Sequence, residues 1–406
     1  MKKNILILCH YGQQPPYNTM LRYHNWGKFL IKFGYNTTIV AASTVHNTDI
    51  DVMKENEGKS ESIVDGVRYL YIKTPYYKGN GMSRIINMFT YAIKLRKSKR
   101  LVTNPDLVIF SGIYLFPFVK YVFRKKPVIC DVPDLWPLSI TEYTSINKNN
   151  LFIKFLYYLE KKAYIKSDAI IFSMEGGKNY LSEKKYSNNQ LFKKTYHINM
   201  GIDLANFDIE TNEESFVNKK SDEYIVTYTG SIRLANNIIA ICEAAKILKD
   251  NGFNKIQIHL YGNGPDEDIA KSYCQTNKLD NVKFFGRFQK KDISKILKKS
   301  NVNIMTYKHT SLMKYGGSQS KLFDYLASGK PIINCGKWGY NLVSRYKCGI
   351  VVEEENAKNI SDAIVAIHSL SDEEVKLMGE RSRLAAIDYD QPRIVSQLHD
   401  IIKTFV

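Results

Sequence analysis

Short apolar runs that stop at a glycine or a polar residue, each followed by a stretch of helical periodicity, recur along this chain in two successive series. That alternation points to parallel α/β sheets, because a parallel neighbour is reached only by a crossover, usually a helix. In the first series Asn4–Cys9, 37–42, 106–111, 127–132 and 169–173 read as buried strands, with a helix over about 19–33 ended by Gly34. The second series restarts at Tyr224–Thr229 and runs through Ile256–Tyr261, 282–285, Val302–Met305, 331–334 and Gly349–Val352. A chain of 406 residues is too long for one core. The polar stretch 211–222 reads as a linker, after a turn at Gly201-Ile202-Asp203. The expectation is therefore α/β, two tandem Rossmann-like doubly wound domains over residues 1–205 and 220–385, with an inter-domain cleft. Ligands of such sheets meet the carboxyl ends of the strands. The remaining residues, 386–406, read as a helix whose owner stays open, a return onto the first domain being one option.

Several classes are excluded at once. The 44% hydrophobic and 24% charged content is that of a folded chain and not a disordered one. The six cysteines contain no C-x-x-C pair, which argues against a disulfide framework or a zinc ribbon and suits a reducing cytoplasm. The longest apolar stretch, residues 107–119, is interrupted by Ser111, Gly112 and Pro117, so no membrane span is expected. The apolar run at Ile5–Leu8 ends at His10, too early for a leader peptide.

The charge is uneven. Residues 1–200 hold 30 Lys/Arg against 14 Asp/Glu, and residues 201–406 hold 28 against 26. So basic a first half is suited to an anionic partner. Residues 82–100 read as a basic amphipathic helix with Ile85, Met88, Phe89, Ala92 and Ile93 on one face. Such a helix fits an anionic membrane surface. Its other reading is a face packed on the domain core, with solvated lysines. Further basic clusters at Arg124-Lys125-Lys126 and Lys161-Lys162 also have apolar neighbours. No nucleic-acid module accompanies the charge, and no such partner is expected.

The candidate chemistry sits in the second half. Gly230-Ser231-Ile232-Arg233 joins a strand to a helix, where a glycine permits close backbone approach and Arg233 offers a fork for phosphate. Gly262 and Gly264 repeat the device after the next strand. Either loop alone is equally a packing turn. A third segment, Tyr315 to Pro331, opens with Gly316 and Gly317 and enters a helix near Ser318. There Lys321 and Asp324, three residues apart, share a helix face, while Leu322, Phe323 and Leu326 form the buried one. One reading is a surface ion pair. The other is a cation for a diphosphate and a carboxylate for a ribose diol, with helix-start amides assisting.

With these residues in place the chain resembles GT-B glycosyltransferases of family 4, closest to the branch of bacterial O-antigen and capsule fucosamine-type transferases. The matching pieces are Leu21-Arg22-Tyr23-His24, Asp131-Val132-Pro133-Asp134-Leu135-Trp136-Pro137, Met200-Gly201-Ile202-Asp203, Tyr228-Thr229-Gly230, Tyr261 to Pro265 and Ser320 to Tyr325. The resemblance implies a retaining transfer from a nucleotide sugar, UDP-sugar favoured, to a polyprenyl-diphosphate-linked saccharide in surface-polysaccharide synthesis. It also implies Asp324 on the ribose, with Arg233 and Lys321 on the diphosphate. Gly12, Gly230, Gly262, Gly264, Gly317, Ser318 and Leu322 would line the donor site. Asp134 is expected across the cleft, with Arg22, His24 and Trp136 on the acceptor side. Asp134, Arg233 and Lys321 form the expected catalytic set, with no metal and no cofactor beyond the nucleotide sugar. The expected location is cytoplasmic, peripheral on the inner face of the membrane.

Three departures stand out. The family pattern has two glutamates eight positions apart, where this chain has Gly316 and Asp324. Ile238 replaces a lysine five residues after Arg233, and Pro133 replaces a histidine before Asp134. A nucleotide-sugar epimerase and a non-catalytic nucleotide-binding subunit are the alternatives. His10 reads as a second cleft-facing candidate beside His24, or as a structural histidine.

Overall fold

The computed structural model describes residues 2–18, 20–46, 48–79, 81–98, 104–186, 189–212 and 223–406. The chain forms two compact units, Met1–Asn199 with Gln391–Val406, and Met200–Asp390.

The first unit is built on a sheet of eight strands: β1 (Asn4–Cys9), β2 (Asn36–Ala42), β3 (Glu61–Val64), β4 (Val67–Ile72), β5 (Leu107–Ser111), β6 (Val128–Val132), β7 (Ala169–Phe172) and β8 (Thr195–His197). Their order is β3-β4-β2-β1-β5-β6-β7-β8, with β3 antiparallel and the others parallel. Near-continuous apolar runs such as Asn4–Cys9 form its centre because both faces are covered by helices. The short edge strand β8 is not among the strands read from the sequence, and neither is the β3–β4 hairpin. It turns at Asp65 and Gly66, both at positive φ (51° and 78°), as a two-residue loop between right-twisted strands requires. Helix Gln391–Lys403 packs on helix Arg22–Lys32 of this unit, where His399 stacks on Phe33 and bonds the Tyr35 hydroxyl at 3.0 Å.

The second unit has six parallel strands: β9 (Tyr224–Thr229), β10 (Ile256–Tyr261), β11 (Val282–Gly286), β12 (Val302–Met305), β13 (Ile332–Cys335) and β14 (Gly349–Val352). Their order, β11-β10-β9-β12-β13-β14, reverses direction between β9 and β12, which is where doubly wound sheets bind ligands. One core layer holds Ile241, Ala244, Leu248, Ile360 and Ile364, and a second holds Leu297, Phe323, Leu326, Ala385 and Ala386. Most of the expected linker, residues 213–222, lies outside the described residues. Its first two residues close a helix, Leu204–Asn212, whose Leu204 amide reaches Asp390 at 3.1 Å.

The helix expected over residues 82–100 forms as Met82–Ser98, with its charged end, from residue 96 on, outside the described side chains. Its apolar face is claimed by the domain: Asn87, Met88, Tyr91, Ala92 and Leu95 are buried, and Tyr91 donates to the Val40 carbonyl at 2.6 Å. Ile93, expected on that face, is exposed. Helix Leu151–Lys166 is different. Ile153, Leu156, Leu159, Ala163 and Tyr164 suffice for its inner face, yet Leu151 (83% exposed), Phe155, Tyr158 (56%) and Ile165 face outward among Lys154, Lys161, Lys162 and Lys166. Among the described residues no helix is long and apolar enough to cross a membrane.

Candidate nucleotide site

The loops after β9, β10 and β11 lie against one another. The Gly230 amide donates to the Tyr261 carbonyl (2.9 Å), the Ile232 amide to Asn263 (2.9 Å) and the Gly262 amide to Gly286 (2.7 Å). Sheet pairing thus continues past the strand ends. A Cβ on Gly262 would lie 1.8 Å from the Gly230 oxygen, and one on Gly264 would lie 2.0 Å from the Ile232 oxygen. These glycines are required by close backbone approach, so the packing reading explains them. The Gly230 amide, in a loop expected to line the donor site, is used by the loop itself. Arg233 projects exposed from the same loop.

Helix Ser320–Ala327 begins without a side-chain cap on its first amides. Its start is fixed by Tyr325, whose hydroxyl accepts from the Thr229 amide at 2.8 Å and donates to the Ile304 carbonyl at 3.2 Å. One buried phenol thus ties the helix to the ends of β9 and β12. Lys321 is directed at the β9 loop. Its ammonium donates to the Tyr228 hydroxyl at 3.0 Å and lies 4.4 Å and 5.0 Å from the Tyr228 and Tyr307 ring centres. A Cβ on Gly230 would come within 2.8 Å of that ammonium. Among the described residues Lys321 has no carboxylate partner. Burial, reinforced by Arg233, pushes its pKa down to about 7.

The sequence pattern put Lys321 and Asp324 on one face, but they do not pair. Asp324 is buried, and both its carboxylate oxygens accept from the Lys290 ammonium, at 2.7 and 2.6 Å. Burial raises the pKa of this carboxyl, and Lys290 opposes the rise. Lys290 stands in the turn after β11, within a Lys-Lys-Asp run that reads as ordinary surface charge. Of the other expected donor residues, Gly317 and Ser318 lie half-buried in the approach to the helix. Leu322 belongs to the core and holds the helix rather than lining a site. Gly316 sits at φ 86°, a backbone shaped for glycine, so the departure from glutamate extends to the main chain.

In the first unit the expected acceptor residues separate into two kinds. Arg22 is buried and bonds both oxygens of Asp131 (3.0 and 2.8 Å), as well as the carbonyls of Ile198 (3.0 Å) and Asn199 (2.9 Å). Tyr23 adds a 2.6 Å bond to the same carboxylate. Arg22 therefore holds the domain together and is not presented to a ligand. His24 is likewise buried, with its ring nitrogens on the Tyr69 hydroxyl (2.7 Å) and Asp65 (3.0 Å). Gly12 lies in a buried turn closed by its amide on the Cys9 carbonyl. Asp134 is exposed beyond β6, and Trp136 is half-buried edge-on to Tyr114. His10 is buried, 2.5 Å from Asn87 through Nε2, and burial pushes its pKa down to about 3. Among the described residues no three His, Cys, Asp or Glu side chains gather as a metal site.

Residues 210–384 match the family described as glycosyl transferases group 1. No curated protein matches the sequence. Solved structures similar to the whole chain include sucrose-phosphate synthase from Thermosynechococcus elongatus (14% identity, TM-score 0.76, 99% of each chain). Anabaena HepE in complex with UDP and glucose is also similar (12%, TM-score 0.69, 98% of this chain and 99% of that one). So is WaaG, a glycosyltransferase involved in lipopolysaccharide biosynthesis (12%, TM-score 0.68, 98% and 99%). At such identities the likeness establishes the fold, GT-B, with its two parallel-sheet domains.

Proposed function

We propose that this protein transfers a sugar from a nucleotide-sugar donor, a UDP-sugar by preference, to a polyprenyl-diphosphate-linked saccharide, in the synthesis of a surface polysaccharide such as O-antigen or capsule. The observation that carries this reading is one helix start. Lys321 there is a desolvated cation with no carboxylate partner among the described residues, and Asp324, one turn on, is a buried carboxylate with its own counter-ion. That spacing suits a diphosphate beside a ribose. The family match over the second unit and the UDP-bound HepE structures of the same fold support it.

In this reading the ribose hydroxyls donate to Asp324, while Lys321 and Arg233 take the diphosphate. As the glycosidic bond breaks, negative charge grows on the leaving diphosphate. Lys321, a cation in a poorly solvated place, stabilises that charge with little solvent reorganisation, and the exposed Arg233 adds to it from the rim. The chain's own side chains supply the opposing positive charge, and Asp134 is assigned to the sugar-transfer step. The configuration at the anomeric carbon is retained. A membrane-borne acceptor is supported by the exposed apolar and lysine-rich face of helix Leu151–Lys166, together with the basic first half. We place the protein on the inner face of the cytoplasmic membrane.

The test is thermal unfolding with UDP, GDP, ADP, CMP and dTDP, followed by transfer assays with the matching nucleotide sugar. A ligand at about 100 times its dissociation constant adds ~2.7 kcal/mol. Stabilisation by UDP that disappears in Asp324→Ala, with product of retained configuration, is the expected result. Binding without transfer points to a nucleotide-binding subunit, and donor conversion without an acceptor to an epimerase. No stabilisation by any nucleotide would overturn the reading.

A further inference from the structure

The ion pair between Lys290 and Asp324 goes beyond anything the family pattern in the sequence suggested. Asp324 is 3% exposed in its side chain and Lys290 is 33% exposed, so a buried carboxylate is met by a cation reaching in from the rim. Asp324 accepts from no other described side chain, and Lys290 takes one direction on each oxygen. An ionised carboxylate has about four acceptor positions, so two of them are not used by Lys290 and can accept from further O–H donors. The two titratable side chains that share its helix have other engagements. Lys321, on the same helix, turns to Tyr228, and Tyr325 spends its hydroxyl on Thr229 and Ile304.

We propose that Lys290 is a positioning residue for nucleotide binding: by holding both oxygens of Asp324, it keeps that carboxylate ionised and oriented to accept the two hydroxyls of a ribose. This rests on the nucleotide reading above and names the residue on which its ribose contact depends. An isolated carboxyl in such a place takes up a proton because burial disfavours its charged form. A protonated Asp324 would offer a donor where the diol needs acceptors. Burial already raises this carboxyl with Lys290 in place, and removing the ammonium removes the one group opposing the rise. Lys290 thus acts through Asp324, and its loss should be felt as pH falls.

The experiment is UDP affinity of the full chain by titration calorimetry between about pH 6 and pH 9, for wild type, Lys290→Met, Lys290→Arg, Asp324→Asn and the Met/Asn double variant, with 2′-deoxy-UDP as comparison. Lys290→Met should bind UDP within a few-fold of wild type at the alkaline end. Below its shifted midpoint it should lose about tenfold per pH unit, as one linked proton requires. Its preference for UDP over the deoxy analogue should fade in step. Lys290→Arg should restore the wild-type profile. On the Asp324→Asn background, Lys290→Met should change nothing further, since coupled sites are not additive. A Lys290→Met profile superimposable on wild type, additive effects in the double variant, or unfolding of Lys290→Met at every pH would each overturn the proposal. Failure of wild type to bind UDP at any pH would overturn the nucleotide reading itself, and is distinguished by needing no variant.

Discussion

The Lys321 ammonium rests on the Tyr228 hydroxyl at 3.0 Å, although 93 residues separate the two in sequence. A phenol and two aromatic faces are the neighbours of this cation. They position it but do not neutralise it, and its charge is left for a ligand.

Lys321 should therefore gain a proton when a diphosphate binds. With a pKa of about 7 in the empty site, it is largely uncharged at pH 8, and a bound dianion favours the charged form. Calorimetry of UDP binding at pH 8, in buffers of different ionisation heat, should show net proton uptake approaching one. At pH 6 uptake should vanish, because the site is already protonated. Lys321→Met should abolish the uptake and lower transfer severely.

The same substitution should stabilise the empty protein at neutral pH. Between its unfolded pKa near 10.5 and the folded value near 7, the unfolded chain binds the extra proton, so this lysine costs stability as pH falls through that interval. Lys321→Met removes the cost. Urea midpoints of variant and wild type should converge toward pH 10 and separate, in the variant's favour, toward pH 7.

Arg22→Ala should act on stability and not on donor affinity. It leaves Asp131 buried without its partner, and breaking a buried pair from one side costs about 3–5 kcal/mol. Denaturant titration measures the loss. A normally stable variant with an altered acceptor KM would instead return Arg22 to the ligand.

Gly262→Ala should separate two loops, since its Cβ meets the Gly230 oxygen at 1.8 Å. UDP affinity and thermal stability should fall together. Gly81→Ala, at the start of a helix in the first unit and with no atom within 4 Å of the new Cβ, should leave UDP affinity unchanged.

Replacing Phe155 and Tyr158 by serine should weaken binding to vesicles of phosphatidylglycerol and phosphatidylcholine, with nucleotide affinity unchanged. Both rings face solvent on helix Leu151–Lys166, and burying apolar area contributes about 25 cal/mol per Å². Flotation at low and high salt measures the effect. Equal flotation of variant and wild type would remove this helix from the interface.

The central strands of both sheets are legible because burial on both faces leaves runs such as Asn4–Cys9 and Ile256–Tyr261 almost wholly apolar, whereas β3, β4 and β8 at the margins of the first sheet are not. The β3–β4 hairpin has its signal in Val64-Asp65-Gly66-Val67, but its edge strand alternates too weakly to read as a strand. At the site, Lys321 and Asp324 could be found by spacing, whereas Lys290 could not. Its neighbours Lys291 and Asp292 make it look like surface charge, and only the fold brings the turn after β11 to Asp324. Arg22 shows the converse. A polar residue on an amphipathic helix reads as outward-facing, and only its partner on a strand 109 positions later shows that it points inward.

The helix Gln391–Lys403 belongs to the first unit, while everything from Met200 to Asp390 belongs to the second. This packing face of the first unit is therefore synthesised after the whole of the second, and the contact between Tyr35 and His399 closes over 364 positions of chain. Domains generally fold as they emerge, amino-terminal first. Here the amino-terminal one meets this helix only late, so the covering of Tyr35 is a long-range contact that closes last in the order of the chain.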